Sequence, residues 1–294
     1  MREIKIYFII NLHNSEKLNR LKSKIYAFFK TRQEHIFIFQ TKYKGHALKL
    51  TKKGILENVN SIIACGGDGT ISEVGGLLVG SSISLGIIPI GSGNGIAGHF
   101  KISKHIENCL KTIISNNIQL IDVGKANNNY FIGNMGIGFE AEFIKQYIMK
   151  KTHGFHSYLR ASIMAISKFK YNKFEINDQK KVTPFMLMIS NLNQQGYNLS
   201  ITPKAICGDG LLDLVLLKKT SIFKIINFLF FILFKIDINS PSLERSQIKI
   251  IKIKNLSKSH FNVQMDGEHF LINSSELVVS VEEKAINLIV PSED

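Results

Sequence analysis

Cys65-Gly66-Gly67-Asp68-Gly69-Thr70-Ile71-Ser72-Glu73 follows a short apolar run, Ser61 to Cys65, that reads as a buried strand. A strand emptying into a glycine-rich turn and then into a helix starting near Thr70 has the geometry of a phosphate cradle. Three glycines let the backbone approach a ligand closely, and the helix start offers unpaired N–H groups and the positive end of its dipole. Asp68 sits in the middle of this turn. A carboxylate among phosphates is repulsive unless it works through a metal ion or takes a proton, which points to chemistry rather than anion capture. The plainer reading is a tight turn with a helix-capping Asp.

Working outward, apolar runs and helical spacing alternate. Ile4 to Ile10 is a strand, Leu18 to Phe29 a helix after a Ser15 cap, His35 to Gln40 a strand and Gly45 to Val59 a helix. After the glycine turn come a helix through Leu78 and a strand, Ser84 to Ile90. That strand ends in a second glycine loop, Gly91-Ser92-Gly93-Asn94-Gly95, followed by helical sequence from Ile102 to Ile114. Such alternation predicts a parallel sheet with helices on both faces, with ligands collecting beyond the carboxyl ends of the strands. Both glycine loops fall at such ends, so they can grip a phosphate chain from two sides. Neither a Walker A lysine nor the dinucleotide Gly-x-Gly-x-x-Gly fingerprint is present.

Beyond Ile118 the sequence changes to short β-prone stretches, Phe131 to Asn134, Pro184 to Asn191, Leu211 to Leu217, Gln247 to Ile253, Asn262 to Met265 and Glu276 to Val281. A helical region from Phe139 to Lys168 interrupts them. The expected division is an α/β domain with a parallel sheet over residues 1–122 and a mainly antiparallel, β-sandwich-like domain over residues 123–294. The segment Ile222 to Ile236 is the most apolar in the chain. It reads either as a core helix or as a helix lying against a membrane, since about 22 Å of helix falls short of a bilayer core of about 30 Å.

The 294 residues carry 37 Lys and Arg against 23 Asp and Glu, a formal charge of +14 with a pI near 9.6. This favours an acidic membrane surface or another polyanion. The basic residues are scattered, and neither an Arg-rich tract nor a zinc-finger or RNA-binding signature accompanies them, so no nucleic-acid partner is expected. Cys65, Cys109 and Cys207 are too few and too widely spaced for a disulfide framework, which fits a cytoplasmic location. The amino terminus reads as a strand rather than a signal peptide. His153 and His156 lack a third ligand at a recognisable spacing.

Six blocks, taken in order, carry a resemblance. They are the Gly66–Ser72 turn, Gly91-Ser92-Gly93-Asn94, Asp122-Val123-Gly124, Gly136-Ile137-Gly138-Phe139-Glu140-Ala141, Asp209-Gly210-Leu211-Leu212-Asp213 and Asp266-Gly267-Glu268. Together they resemble the diacylglycerol/sphingosine kinase catalytic family, in particular its small bacterial members. The resemblance implies an N-terminal domain related to those of NAD kinases and phosphofructokinases and a sandwich-like C-terminal domain. It also implies ATP- and Mg2+-dependent phosphorylation of a lipid hydroxyl, in a cleft between domains. Diacylglycerol or a sphingoid base would be the acceptor. A soluble NAD kinase and a catalytically silent lipid-binding regulator are the rival readings.

Carried over by residue, Gly66, Gly67, Asp68, Gly69, Thr70, Ile71 and Ser72 would form the nucleotide-phosphate loop. Gly91, Ser92, Gly93 and Asn94 would form the second loop, and Asn11 and Thr41 further nucleotide contacts, Thr41 leading a Thr-x-x-x-Gly-His-Ala signature. Asp266 and Glu268 resemble the acidic pair that supplies the general base, with Asp68 the competing base. Asp209, with the carbonyls of Ile206 and Leu211, resembles a Mg2+ site. The sequence departs from the family at His13, Gly95 and Gly98. The expected partner is a lipid substrate at the inner membrane face, with room for peripheral membrane contact and for a homodimer.

Overall fold

The computed structural model describes residues 4–149, 155–194, 200–233 and 241–292. The chain divides into two compact units, Met1–Asp122 with Glu283–Asp294, and Val123–Glu282.

The first unit runs β1 (Lys5–Ile10), α1 (Ser15–Phe29), β2 (His35–Gln40), α2 (His46–Leu56), β3 (Ser61–Gly66), α3 (Asp68–Leu78), β4 (Ser84–Pro89), α4 (Gly95–His99) and α5 (Ile106–Ser115), and leaves through β5 (Ile118–Ala126). The parallel order is β2-β1-β3-β4, with Ile6 opposite both Ile36 and Ser61 and Ile62 opposite Leu85. Phe8, Ile9, Ile62 and Ile63 are fully buried, as expected of parallel strands covered on both faces. Helix α1 buries Leu18, Leu21, Ile25 and Phe29 as one stripe. Its cap is Asn14, whose side chain accepts from the Lys17 amide, and not Ser15, which is the first helical residue. Helix α3 begins at Asp68, two residues before the expected start. The stretch from Ile102 to Ile114 is shorter as a helix than its composition suggests, because α5 begins only at Ile106.

The second unit continues with β6 (Asn129–Phe131), β7 (Asn134–Gly138), α6 (Phe139–Met149), α7 (Phe155–Lys168), β8 (Phe174–Ile176), β9 (Lys180–Val182), β10 (Pro184–Ser190), β11 (Leu212–Lys218), α8 (Ile222–Leu233), β12 (Leu243–Ile248), β13 (Ile250–Asn255), β14 (Phe261–Met265), β15 (Glu268–Ile272) and β16 (Glu276–Ile289). One sheet is antiparallel in the order β12-β11-β10-β7-β14-β15. In the other group, β13 pairs antiparallel with both β8 and the start of β16. Apolar residues from both groups, among them Met135, Ile137, Leu187, Val263, Ile251 and Val279, form one buried cluster, the core of a sandwich. The opposite face of the six-stranded sheet is covered by helices. There Phe139, Phe143, Ala161, Ala165, Ile225 and Phe228 pack on Met186, Val215 and Leu217.

The expected boundary at residue 122 needs one correction. The chain end returns to the first unit: Leu288 pairs with Leu85, the Lys284 amide donates to Asp122 Oδ1 at 2.8 Å, and the Val290 amide donates to the Asn117 carbonyl. β16 is simply long enough to begin in one unit and end in the other, and neither Gly nor Pro marks the passage. The end of the apolar segment, residues 234–236, and His153 lie outside the described residues, as does the side chain of His156. Among the described residues no helix is long and apolar enough to cross a membrane.

Candidate active site

The two glycine loops are in contact. Ile90 and Gly91 both donate their amides to the Gly66 carbonyl, at 3.0 and 3.3 Å, which pins the end of β4 to the turn after β3. A β-carbon on Gly91 would run into the Cα of Gly67, so only glycine permits this approach. Helix α3 starts immediately beyond, with no side chain capping it, and aims its N-terminal dipole at the same place.

Asp68 is the tie between the loops. Its Oδ2 accepts from the Gly95 amide at 2.9 Å and its Oδ1 from the Ile96 amide at 3.0 Å. The carboxylate of the first loop thus caps helix α4 of the second loop, whose own N-cap residue, Asn94, sits in left-handed geometry and makes no cap bond. Burial raises the pKa of Asp68 and the two amide bonds oppose that rise. The capping reading of the sequence is therefore realised, although the helix capped is not the one that follows the turn.

Asn11 and Thr41 join the same site through side chains. Thr41 Oγ1 donates to Asn11 Oδ1 at 3.0 Å, and Asn11 Nδ2 donates to Thr70 Oγ1 at 2.9 Å. This relay ties the ends of β1 and β2 to the first turn of α3. Gly45 adopts left-handed geometry at the start of α2, and His46 Nδ1 accepts from the Lys42 amide. Ile71 is fully buried in the core, and Ser72 lies within α3, not in the loop. In the second loop Ser92 is exposed, and Asn94 donates its amide N–H to the Gly91 carbonyl at 2.7 Å. The Asn94 Oδ1 is buried and has no hydrogen-bond partner among the described residues, an acceptor set beside the loops.

In the second unit, Asp266 stands at left-handed φ in the turn between β14 and β15 and is almost fully buried. Its carboxylate accepts three backbone amides, from Ile132 at 2.7 Å, Gly133 at 2.7 Å and Asn134 at 2.9 Å. Asp266 therefore organises the turn between β6 and β7. Glu268 opens β15 and is half-buried. The structure thus separates the acidic pair, one member locked by amides and the other on a strand end.

Asp209 lies exposed in a turn where its Oδ1 accepts from the Leu211 amide at 3.0 Å, and Ile206 is exposed nearby in the chain. Burial, and then the charge of Asp209, raise the pKa of Asp213. Two carboxylates that repel one another beside an exposed turn are oxygen donors of the kind a hard divalent cation takes. Among the described residues no group of three Asp, Glu, His or Cys side chains is placed to hold a metal ion.

Glu140 carries a feature that its place in a quoted block did not disclose. Its Oε2 is buried without a hydrogen-bond partner among the described residues, lying where a β-carbon on Gly136 would be. Burial alone drives its pKa well above the usual carboxylate range. The available signal was the glycine four residues ahead of an acid, at a strand-to-helix junction. Asn191, almost fully buried, was also missed; its Nδ2 donates to the Ile132 carbonyl at 2.9 Å, on the same turn that Asp266 holds.

Residues 5–126 match the diacylglycerol kinase catalytic domain, and residues 135–290 match the YegS C-terminal NAD kinase beta sandwich-like domain. A protein of Klebsiella pneumoniae (strain 342) named "Probable lipid kinase YegS-like" is 32% identical over 181 residues, 58% of this chain and 60% of that one. A "Diacylglycerol kinase" of Bacillus subtilis (strain 168) is 28% identical over 235 residues, 76% of each chain. The chain thus spans about 60% of the YegS-like relatives it matches. A crystal structure of a diacylglycerol kinase from Bacillus anthracis str. Sterne superposes with a TM-score of 0.77 at 23% identity, over 98% of this chain and 97% of that one. At that identity the likeness shows the fold.

Proposed function

From the premise that the chain belongs to the family defined by a diacylglycerol kinase catalytic domain followed by a YegS-type sandwich domain, we propose that it is an ATP-dependent lipid kinase. It transfers the γ-phosphate to a lipid hydroxyl, with diacylglycerol or a related alcohol such as a sphingoid base as acceptor. The observation that carries this reading is the contact of the two glycine loops, locked by Asp68, within the catalytic-domain match.

Phosphoryl transfer asks for charge neutralisation, in-line placement and removal of the acceptor's proton. The α3 N-terminus and the loop amides supply the first without a P-loop lysine. The relay from Thr41 through Asn11 to Thr70 keeps the turn from shifting, which supplies placement. Asp68 acts by holding the second loop against the first. For the proton, Glu268 is the better member of the acidic pair, because three amides already engage the Asp266 carboxylate and tie it to its own turn. A Mg2+ ion, when bound, adds positive charge, and Asp209 with Asp213 and the Ile206 and Leu211 carbonyls are the residues suited to hold one.

Labelled ATP supplied to mixed micelles of diacylglycerol, sphingosine or a polyprenol, with NAD in parallel, tests the proposal. Label on a lipid alcohol supports it. Label on NAD alone overturns it.

A further inference from the structure

Helix α8 is apolar on both sides. Ile225 and Phe228 point into the cluster that packs on the six-stranded sheet, whereas Phe223, Ile226 and Phe230 are 80%, 55% and 52% exposed. Positions 223, 226 and 230 follow one helical stripe. On α7, which buries Ala161 and Ala165 in the same cluster, Ile163 is 61% exposed. Isolated exposed apolar residues are ordinary, but a stripe of two phenylalanines and an isoleucine with another isoleucine on the companion helix is a surface that water does not favour.

The charge around these helices identifies the occupant. From Phe143 to Phe174 the sequence holds seven Lys and Arg and no Asp or Glu; from Leu214 to Ile236 it holds four Lys and again no acid. Among the described residues of these stretches, Arg160 on α7 and Lys224 on α8 are exposed, in a chain whose net charge is +14. Lys218 is committed to Glu244, while Lys224 is exposed within α8 itself. A protein partner could be apolar without being anionic. An acidic bilayer offers a hydrocarbon layer under a negative surface, which matches both features at once.

We infer that the outward side of α7 and α8 docks on an anionic lipid bilayer, Phe223, Ile226 and Phe230 entering the interface and Arg160 and Lys224 meeting the headgroups. This rests on the lipid-kinase reading for its purpose, but binding can be measured without catalysis.

The test is co-sedimentation of the full chain, without nucleotide, with vesicles of phosphatidylcholine alone or mixed with phosphatidylglycerol. Wild type should bind the acidic vesicles, with affinity falling as salt rises. Phe223→Ser with Ile226→Ser should lower the partition coefficient by at least about tenfold, and Lys224→Glu by about fivefold or more. Both variants should keep the wild-type melting temperature, since the altered side chains face outward. They should also phosphorylate a short-chain, monomeric acceptor as wild type does. Wild type that ignores acidic vesicles, or a double variant that binds them unchanged, overturns the inference. So does a dimer that the same substitutions dissociate while vesicle binding persists, which would make a second copy the occupant. Absence of lipid phosphorylation despite intact vesicle binding would count against the kinase reading alone.

Discussion

Asp68 separates two roles that the sequence leaves superposed, and the difference is measurable. If its task is to hold Gly95 and Ile96, Asp68→Ala removes two charge-assisted bonds and should cost about 2 kcal/mol of stability as well as turnover. Asp68→Asn keeps one acceptor and should recover part of the stability in urea unfolding. A variant Asp68→Ala with native stability and near-normal activity would refute both the clamp and the catalytic assignment. Asp266 and Glu268 divide in the same way. Asp266→Asn presents an NH2 group to an array of amide donors and should lose about 3 kcal/mol, whereas Glu268→Gln should fold normally and lose turnover. Native-like activity of Glu268→Gln would remove it as the base. Glu140 gives a pH signature. Its folded pKa is raised, so its contribution is fully present below the ordinary glutamate value of 4.5 and is lost as pH rises toward the folded value. Denaturation midpoints measured from about pH 5 to about pH 8 should fall for wild type and flatten in Glu140→Gln.

Among the elements, the loop contact is the feature on which the site depends. Gly91→Ala forces its new methyl group against Gly67 and should cost about 1–3 kcal/mol while raising the KM for ATP. Unaltered nucleotide affinity in that variant would mean that the loops do not act together. The inner strands of the first unit, β3 and β4, are legible because parallel strands buried on both faces are apolar runs, whereas β2, at the sheet edge, is only partly buried. The glycine loops were legible for a related reason, since close backbone approach admits one residue type. Other elements were not. Strands β8 and β9 are three residues long, too short for periodicity to register. Helix α4 lies in a stretch, Gly95 to His99, whose glycines argue against a helix; its N-terminus is held by a carboxylate 27 residues away. Long-range capping leaves no local pattern. Asp266 is a like case: Asp-Gly marks a turn, but the dipeptide says nothing of the three distant amides that its carboxylate meets.

For the molecule as a whole, the instructive feature is that the first unit is built from discontinuous chain. Ile286, Leu288, Ile289 and Val290 are buried there, although the whole of the second unit precedes them in sequence. At about 1.5–3 kcal/mol for each apolar side chain removed from water, their loss approaches the entire stability of a typical domain, about 5–15 kcal/mol. The backbone bonds from Gly80 to Ala285 and from Val290 to Asn117, and the one from Lys284 to Asp122, would go with them. A fragment ending at residue 122 should therefore fail to fold, despite containing both glycine loops and every nucleotide-contact residue proposed above. Circular dichroism and ATP binding of that fragment are the direct check, and a folded, ATP-binding product would show that the returning strand is dispensable. A second fragment, with residues 283–292 joined to residue 122 by a flexible linker, should regain cooperative unfolding, because it restores the same buried side chains to the same sheet. If both fragments remain unfolded, the first unit depends on more of the chain than its own residues, and the folding unit is the entire molecule.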